Sequence, residues 1–321
     1  MPVMFTDLPD LAAERLDASV IDANDDFFAP KEALIRPAAP VWREGEYTDR
    51  GKWMDGWETR RRRTPGHDWA IIRLGTPGIV RGVVVDTSFF TGNYPESASI
   101  DGCADWSAHP DVEWFSLLAP TPLTGNATNA FAIDGPDRRV THLRLNIFPD
   151  GGVARLRVHG EVVPDPHRFE GSGEVDLAAL VNGGVVVECS DMHYGNRQNL
   201  ILPGRSTHMG DGWETRRRRG PGHDWTIVRL ARRGTIDRVE LDTDYFKGNA
   251  PGQCMVETCD AGDAFDTAAA SWQTLVAETP LKADAQHRWD VQSPGPATHV
   301  RLNIYPDGGV ARLRLFGHAQ R

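Results

Sequence analysis

The chain repeats itself, and the repetition is uneven. Asp55 to Trp69 reads DGWETRRRRTPGHDW and Asp211 to Trp225 reads DGWETRRRRGPGHDW, identical at fourteen of fifteen positions with an offset of 156. A second pair, HLRLNIFPDGGVARLRVHG (His142 to Gly160) and HVRLNIYPDGGVARLRLFG (His299 to Gly317), agrees at fifteen of nineteen positions with an offset of 157. Between these blocks, Ala70 to Asn93 against Thr226 to Asn249 keeps only ten of twenty-four. Likeness confined to two blocks means that particular residues were held while their surroundings changed. Such a chain folds as two copies of one unit, each of about 150 residues and long enough for its own core.

The 321 residues therefore divide into halves at 1–163 and 172–321, joined by a linker at 164–171 within the Pro- and Gly-containing stretch PDPHRFEGSGE. Residues 7–16 and 174–182 read as short helical or turn-like entries to each half. Thereafter the pattern has period two. Ile71–Leu74, Ile79–Asp86 and His142–Ile147 are short strand-like runs bounded by Gly, Pro, Asn and Asp. Leu143, Leu145 and Ile147 share one face of the last run, and His142, Arg144 and Asn146 the other. The PDGG at Pro149–Gly152 reads as a hairpin turn between two alternating strands. With 32 glycines, 22 prolines and almost no helical periodicity, each half is expected to be an all-β sandwich.

Charge narrows the partners. Forty-five acidic against 35 basic residues leave a net charge of −10, which disfavours nucleic acid and anionic membranes. No apolar run approaches the roughly 18 residues of a membrane span, and MPVMFTDLPDLAAER lacks a basic start before an apolar stretch, so a cytoplasmic protein is expected. Cys103, Cys189, Cys254 and Cys259 form no CxxC pair and read as reduced thiols. Homo-oligomerisation is expected for a chain of this size.

The run HDWAIIRLGTPGIVRGVVVDTSFFTGNYPESASIDG resembles the discoidin or galactose-binding type of jelly roll. The doubled DGWETRRRR-x-PGHDW, with its DT-x-(F/Y)-F-x-GN and H-x-RLNI-(F/Y)-PDGGVARLR blocks, resembles the allantoicase (allantoate amidinohydrolase) family over nearly the whole chain. The resemblance implies two tandem jelly-roll β-sandwich domains related by internal duplication. It also implies hydrolysis of allantoate to ureidoglycolate and urea in purine breakdown. Bacterial members are associated with manganese; this sequence has no compact ligand motif such as HExxH, so a divalent metal is allowed and its ligands are unassigned. The competing reading is a non-catalytic tandem jelly-roll module that binds a sugar or a small anionic ligand, since this fold binds more often than it catalyses.

If WETRRRR is a strand, Trp57, Thr59, Arg61 and Arg63 point one way and Glu58, Arg60 and Arg62 the other. A buried Arg needs a carboxylate, carbonyls or a ligand. One reading pairs Arg61 and Arg63 with Asp68, Asp86 and Glu58, and Arg217 and Arg219 with Asp224, Asp242 and Glu214. The functional reading gives Arg61, Arg63, Arg217 and Arg219 the carboxylate of allantoate, which a guanidinium fork matches with two parallel hydrogen bonds. Asn146 and Asn303 are placed to read an amide-like ligand, whereas Asn93 and Asn249 read chiefly as turn residues. The PGHDW turn sets His67 beside Asp68 and His223 beside Asp224, a neighbourhood suited to proton transfer. The bond to be broken joins an aminal carbon to urea nitrogen, so one group must protonate the leaving nitrogen and one must activate water. Glu58, His67, Asp68, Glu214, His223 and Asp224 are the candidates for these duties. Trp57, Trp69, Trp213 and Trp225 read as core aromatics.

Overall fold

Two nineteen-residue strands, Asp68–Asp86 and Asp224–Asp242, organise the protein. The computed structural model describes residues 4–104, 112–171, 173–262 and 265–320, which fall into two units, Met1–Val163 and Pro164–Arg321. Among the described residues there is no α-helix, only short 3-10 turns, and no helix long and apolar enough to cross a membrane.

In the first unit the long strand belongs to both layers of a sandwich. Its first half pairs with Ser19–Ala23 on one side and Arg139–Phe148 on the other, and Ser97–Cys103 and Phe115–Pro122 extend that layer. Its second half runs between Arg155–Val162 and Thr128–Ala132. The register against Arg139–Phe148 slips between Arg73 and Gly78, where GTPG bends the strand from one layer to the other. The sequence suggests two strands separated by a turn here; the structure joins them in one bent strand. The second unit repeats the plan, with Val185–Cys189 and Ala297–Tyr305 beside the first half of its long strand, Gln253–Cys259 next to Ala297–Tyr305, and Arg312–Ala319 and Gln286–Asp290 beside the second half.

The core lies between the layers. Leu143, Leu145 and Ile147 are completely buried with Ile72, Ile100, Val83, Val85 and Leu156, as the period-two pattern requires. The opposite face is not simply solvated: His142 and Asn146 are buried as well, and the Arg144 guanidinium lies under Trp114, 4.8 Å from its ring centroid. Trp57 and Trp213 are fully buried, while Trp69 and Trp225 are half-buried. None of the four cysteines is bridged, and burial pushes the Cys254 thiol up to about 12.

The PDGG segment is not a hairpin turn. Arg139–Phe148 and Arg155–Val162 pair with opposite halves of the long strand, so Pro149–Gly152 carries the chain between layers. On the way it docks on the other repeated block: Gly152 and Val153 pair with Glu58 and Trp57. The Thr59 hydroxyl accepts the Gly151 N–H at 3.1 Å, and Asp150 accepts the Arg62 backbone N–H at 2.8 Å. Both glycines are sterically required. Gly151 has φ +140° and a Cβ there would meet the Asn93 carbonyl oxygen at 2.7 Å; a Cβ on Gly152 would lie 1.9 Å from the Phe90 ring. The two repeated blocks are thus one packed feature, which explains why they were held together.

Candidate active site

Glu58 stands where four segments meet. Its backbone bridges Ala29 on one side and pairs with Gly152 on the other, so the residue is fixed despite lying at the end of a two-residue strand. Its side chain accepts a 2.7 Å hydrogen bond from Asn93 Nδ2. Asn93 is itself anchored, because its backbone carbonyl accepts the Gly152 N–H at 2.7 Å. Burial pushes the Glu58 carboxyl above the ordinary value of 4.5, against the opposing pull of the Asn93 hydrogen bond. In the second unit Glu214 bridges Gly195, pairs with Gly309 and accepts a 2.6 Å bond from Asn249.

The first-unit glutamate opens into a cavity of about 210 Å³. Phe28, Met54, Phe89 and Thr91 wall it beside Glu58 and Asn93, and Trp42 and Lys52 complete the lining. Phe89 has φ +69° and its counterpart Tyr245 φ +70°. That conformation is unfavourable for a bulky residue, and each is pinned by a side chain that accepts its N–H, Asn126 at 2.8 Å and Asp284 at 2.7 Å.

The arginine run does not continue the strand, which ends at Glu58 and releases the alternation. Arg60 pairs with Asp25 at 2.6 Å and Arg62 with buried Asp68 at 2.6 Å; Arg216 pairs with Asp191, and Arg218 with Asp224. Arg61, Arg63, Arg217 and Arg219 are exposed rather than inward-facing, and among the described residues they have no hydrogen-bond or ion-pair partner. The carboxylates Asp68 and Asp224 are therefore engaged by Arg62 and Arg218, not by the arginines at odd-numbered positions. Asp68 also accepts from Asn24 at 2.8 Å, and Asp224 from Ser190 at 3.0 Å.

His67, Asn146 and their counterparts form a separate group. His67 packs on Phe148 and His223 on Tyr305, each with ring centroids 4.7 Å apart. Asn146 donates to Ser99 and Asp101, and Asn303 donates to Glu257 while its Oδ1 lies 3.0 Å from His223 Nε2. Among the described hydrogen bonds none joins this group to Glu58 or Glu214, and the cavity lining does not include it.

Both blocks and both units match the family model described as an allantoicase repeat, over residues 9–163 and 175–320. The chain belongs to the allantoicase family. It is 50% identical over 315 residues to a probable allantoicase 2 of Burkholderia pseudomallei, covering 96% of this chain and 94% of that one. A probable allantoicase of Pseudomonas aeruginosa is 49% identical over 319 residues, covering 97% and 96%. A crystal structure of allantoicase from Saccharomyces cerevisiae matches with a TM-score of 0.82 at 35% identity, covering 97% of this chain and 93% of that one.

The sequence offers Glu58 and Glu214 as candidates, and Asn93 and Asn249 mainly as turn formers. Their side chains hold the glutamates, and the signal was present in the doubled GN. Trp42 and Lys52 carried no signal, because they lie in a stretch that the second repeat does not match. Among the described residues no group of three or more His, Cys, Asp or Glu side chains converges as a metal site. Around Glu58 the structure supplies one carboxylate and one amide, short of a metal-binding set, so no step below is assigned to a metal.

Proposed function

We propose that this chain is an allantoicase that hydrolyses allantoate to ureidoglycolate and urea, with Glu58 as the proton-transferring group of the first repeat and Glu214 as its counterpart. The observation that carries the assignment of Glu58 is a glutamate with a raised pKa, oriented by an asparagine, in the wall of a small cavity. A carboxyl of this kind holds its proton at a higher pH than an exposed one and suits general acid catalysis. Glu58 gives that proton to the urea nitrogen as the C–N bond breaks, while the lone pair of the other ureido nitrogen forms a C=N bond to the central carbon. Water then adds to that carbon and returns a proton to Glu58. One water is consumed, urea leaves, and the carboxyl ends as it began.

The other predicted residues take supporting roles in this scheme. Asp68 and Asp224 hold Arg62 and Arg218, and the unpaired Arg61, Arg63, Arg217 and Arg219 supply local positive potential that draws an anion toward an acidic protein. His67, His223, Asn146 and Asn303 maintain the adjoining face of the sheet; the single-carboxyl route does not require a histidine. Homo-oligomerisation and a cytoplasmic setting belong to the same proposal.

Urea release from allantoate by the purified chain tests the activity, with and without a chelator. No urea in either arm, with manganese restored, overturns it. Asn93→Ala gives a second check. The amide N–H of Asn93 favours the ionised carboxyl, so its loss raises the Glu58 pKa further. The pH at which activity declines on the alkaline side should move upward in a pH–rate profile; an unchanged or lowered midpoint removes Glu58 as the acid.

A further inference from the structure

The two repeats differ in length beside their glutamates. The 3-10 turn Lys31–Ile35 and its counterpart Arg197–Ile201 lie at matching points, as do Asp55 and Asp211. Nineteen residues separate Ile35 from Asp55, and nine separate Ile201 from Asp211. The additional first-repeat chain folds into a small hairpin in which Tyr47 pairs with Lys52 and Thr48 with Gly51. Its base is tied to the repeated blocks: Val41 N–H donates to Asp55 at 3.0 Å, and Ala38 C=O accepts from Arg155 at 2.9 Å. Arg50 fastens its tip by donating to the Phe27 carbonyl at 3.0 Å.

This insertion brings a cation to the cavity. The Lys52 ammonium lies 4.1 Å from the Trp42 ring centroid, and both residues line the space that contains Glu58. Among the described residues Lys52 has no carboxylate partner, although the chain as a whole is acidic. The Lys–Trp contact modestly favours this placement of the exposed side chain without neutralising its charge. The cavity thus offers an ammonium at its rim, a flat aromatic wall and the Glu58–Asn93 pair, which match a small ligand bearing a carboxylate at one end and planar polar groups at the other. We infer that Lys52, delivered by the hairpin that only the first repeat contains, binds the carboxylate of the substrate and makes the Glu58 cavity the site that selects for an anionic ureide.

The inference rests on the proposed activity for the identity of the ligand, and a binding measurement separates the two. In the Glu58→Gln/Glu214→Gln chain, allantoate is titrated calorimetrically with Lys52 intact, as Lys52→Gln and as Lys52→Arg. Losing a charged hydrogen bond to a carboxylate should weaken binding at the first-repeat site about 10- to 100-fold in Lys52→Gln. Lys52→Arg should restore most of it. The uncharged carboxamide analogue of allantoate should bind Lys52→Gln and the parent equally. Equal allantoate affinity with and without the ammonium overturns the assignment, as does an equal loss for the carboxamide, which would show a collapsed cavity rather than a lost charge. A chain that releases no urea yet binds allantoate through Lys52 would refute the activity and uphold the anchor.

Discussion

Glu58→Gln combined with Glu214→Gln should lower urea release from allantoate by about 100- to 10,000-fold, the range expected when a positioned acid–base group is removed. Glutamine preserves the volume and can still engage Asn93 and Asn249, so the fold should survive; circular dichroism and thermal unfolding check that. The single variants divide the rate between repeats. Glu58→Gln should cause the larger loss, because the hairpin that carries Trp42 and Lys52 to the cavity has no match in the second repeat. A doubly substituted chain within tenfold of the original rate would remove both glutamates from the chemistry.

Asp55→Ala should destabilise the first unit by about 3–5 kcal/mol, and Asp211→Ala the second, because each leaves a buried guanidinium without its counter-ion. Arg155 and Asp55 are 3% and 7% exposed in their side chains and meet at 2.8 Å; Arg312 and Asp211 meet at 3.0 Å. Each arginine also donates to backbone carbonyls, Arg155 to Asp55 and Ala154 and Arg312 to Asp211 and Ala311. Denaturant unfolding of each variant beside the parent measures the loss, and a change below 1 kcal/mol would show that the pair is dispensable. The effect has a pH signature. Burial pushes the Asp55 carboxyl up, but the hydrogen bonds from Arg155 and the Val41 N–H outweigh it and hold the native value below the ordinary 3.8. A carboxyl lowered in the native state contributes fully above its unfolded pKa and loses that contribution as pH falls through the native value. The stability gap between parent and Asp55→Ala should therefore persist down to about pH 3.8 and close only in more acid solution.

Much of the fold was legible because sheet burial has a period of two. Leu143, Leu145 and Ile147 were identifiable as a core face, and the layered β architecture followed from the turn residues around such runs. The readings that failed were those that extended local regularity across a junction. WETRRRR alternates as a strand on paper, but its strand stops at Glu58, so Arg61 and Arg63 are exposed and it is Arg62 that reaches Asp68. PDGG has the composition of a hairpin turn, yet its glycines serve close approach to Asn93 and Phe90. Asn93 resembles many turn asparagines, and only the position of Glu58, thirty-five residues away, makes it part of the candidate site.

The sequence by itself determined that the chain is a duplicated β protein, because a repeat of this length and a period-two pattern are properties of the chain order alone, and its motif blocks carried the resemblance to the allantoicase family. Only the tertiary structure decided which charges are paired within the fold and which line a cavity. Arg62, Arg155 and Asp68 are drawn into internal pairs, whereas Glu58 faces a cavity and Lys52 is brought to it by an insertion. The physical reason is that an ion pair depends on separations of a few ångströms between segments distant in sequence, and the chain order carries no record of those separations.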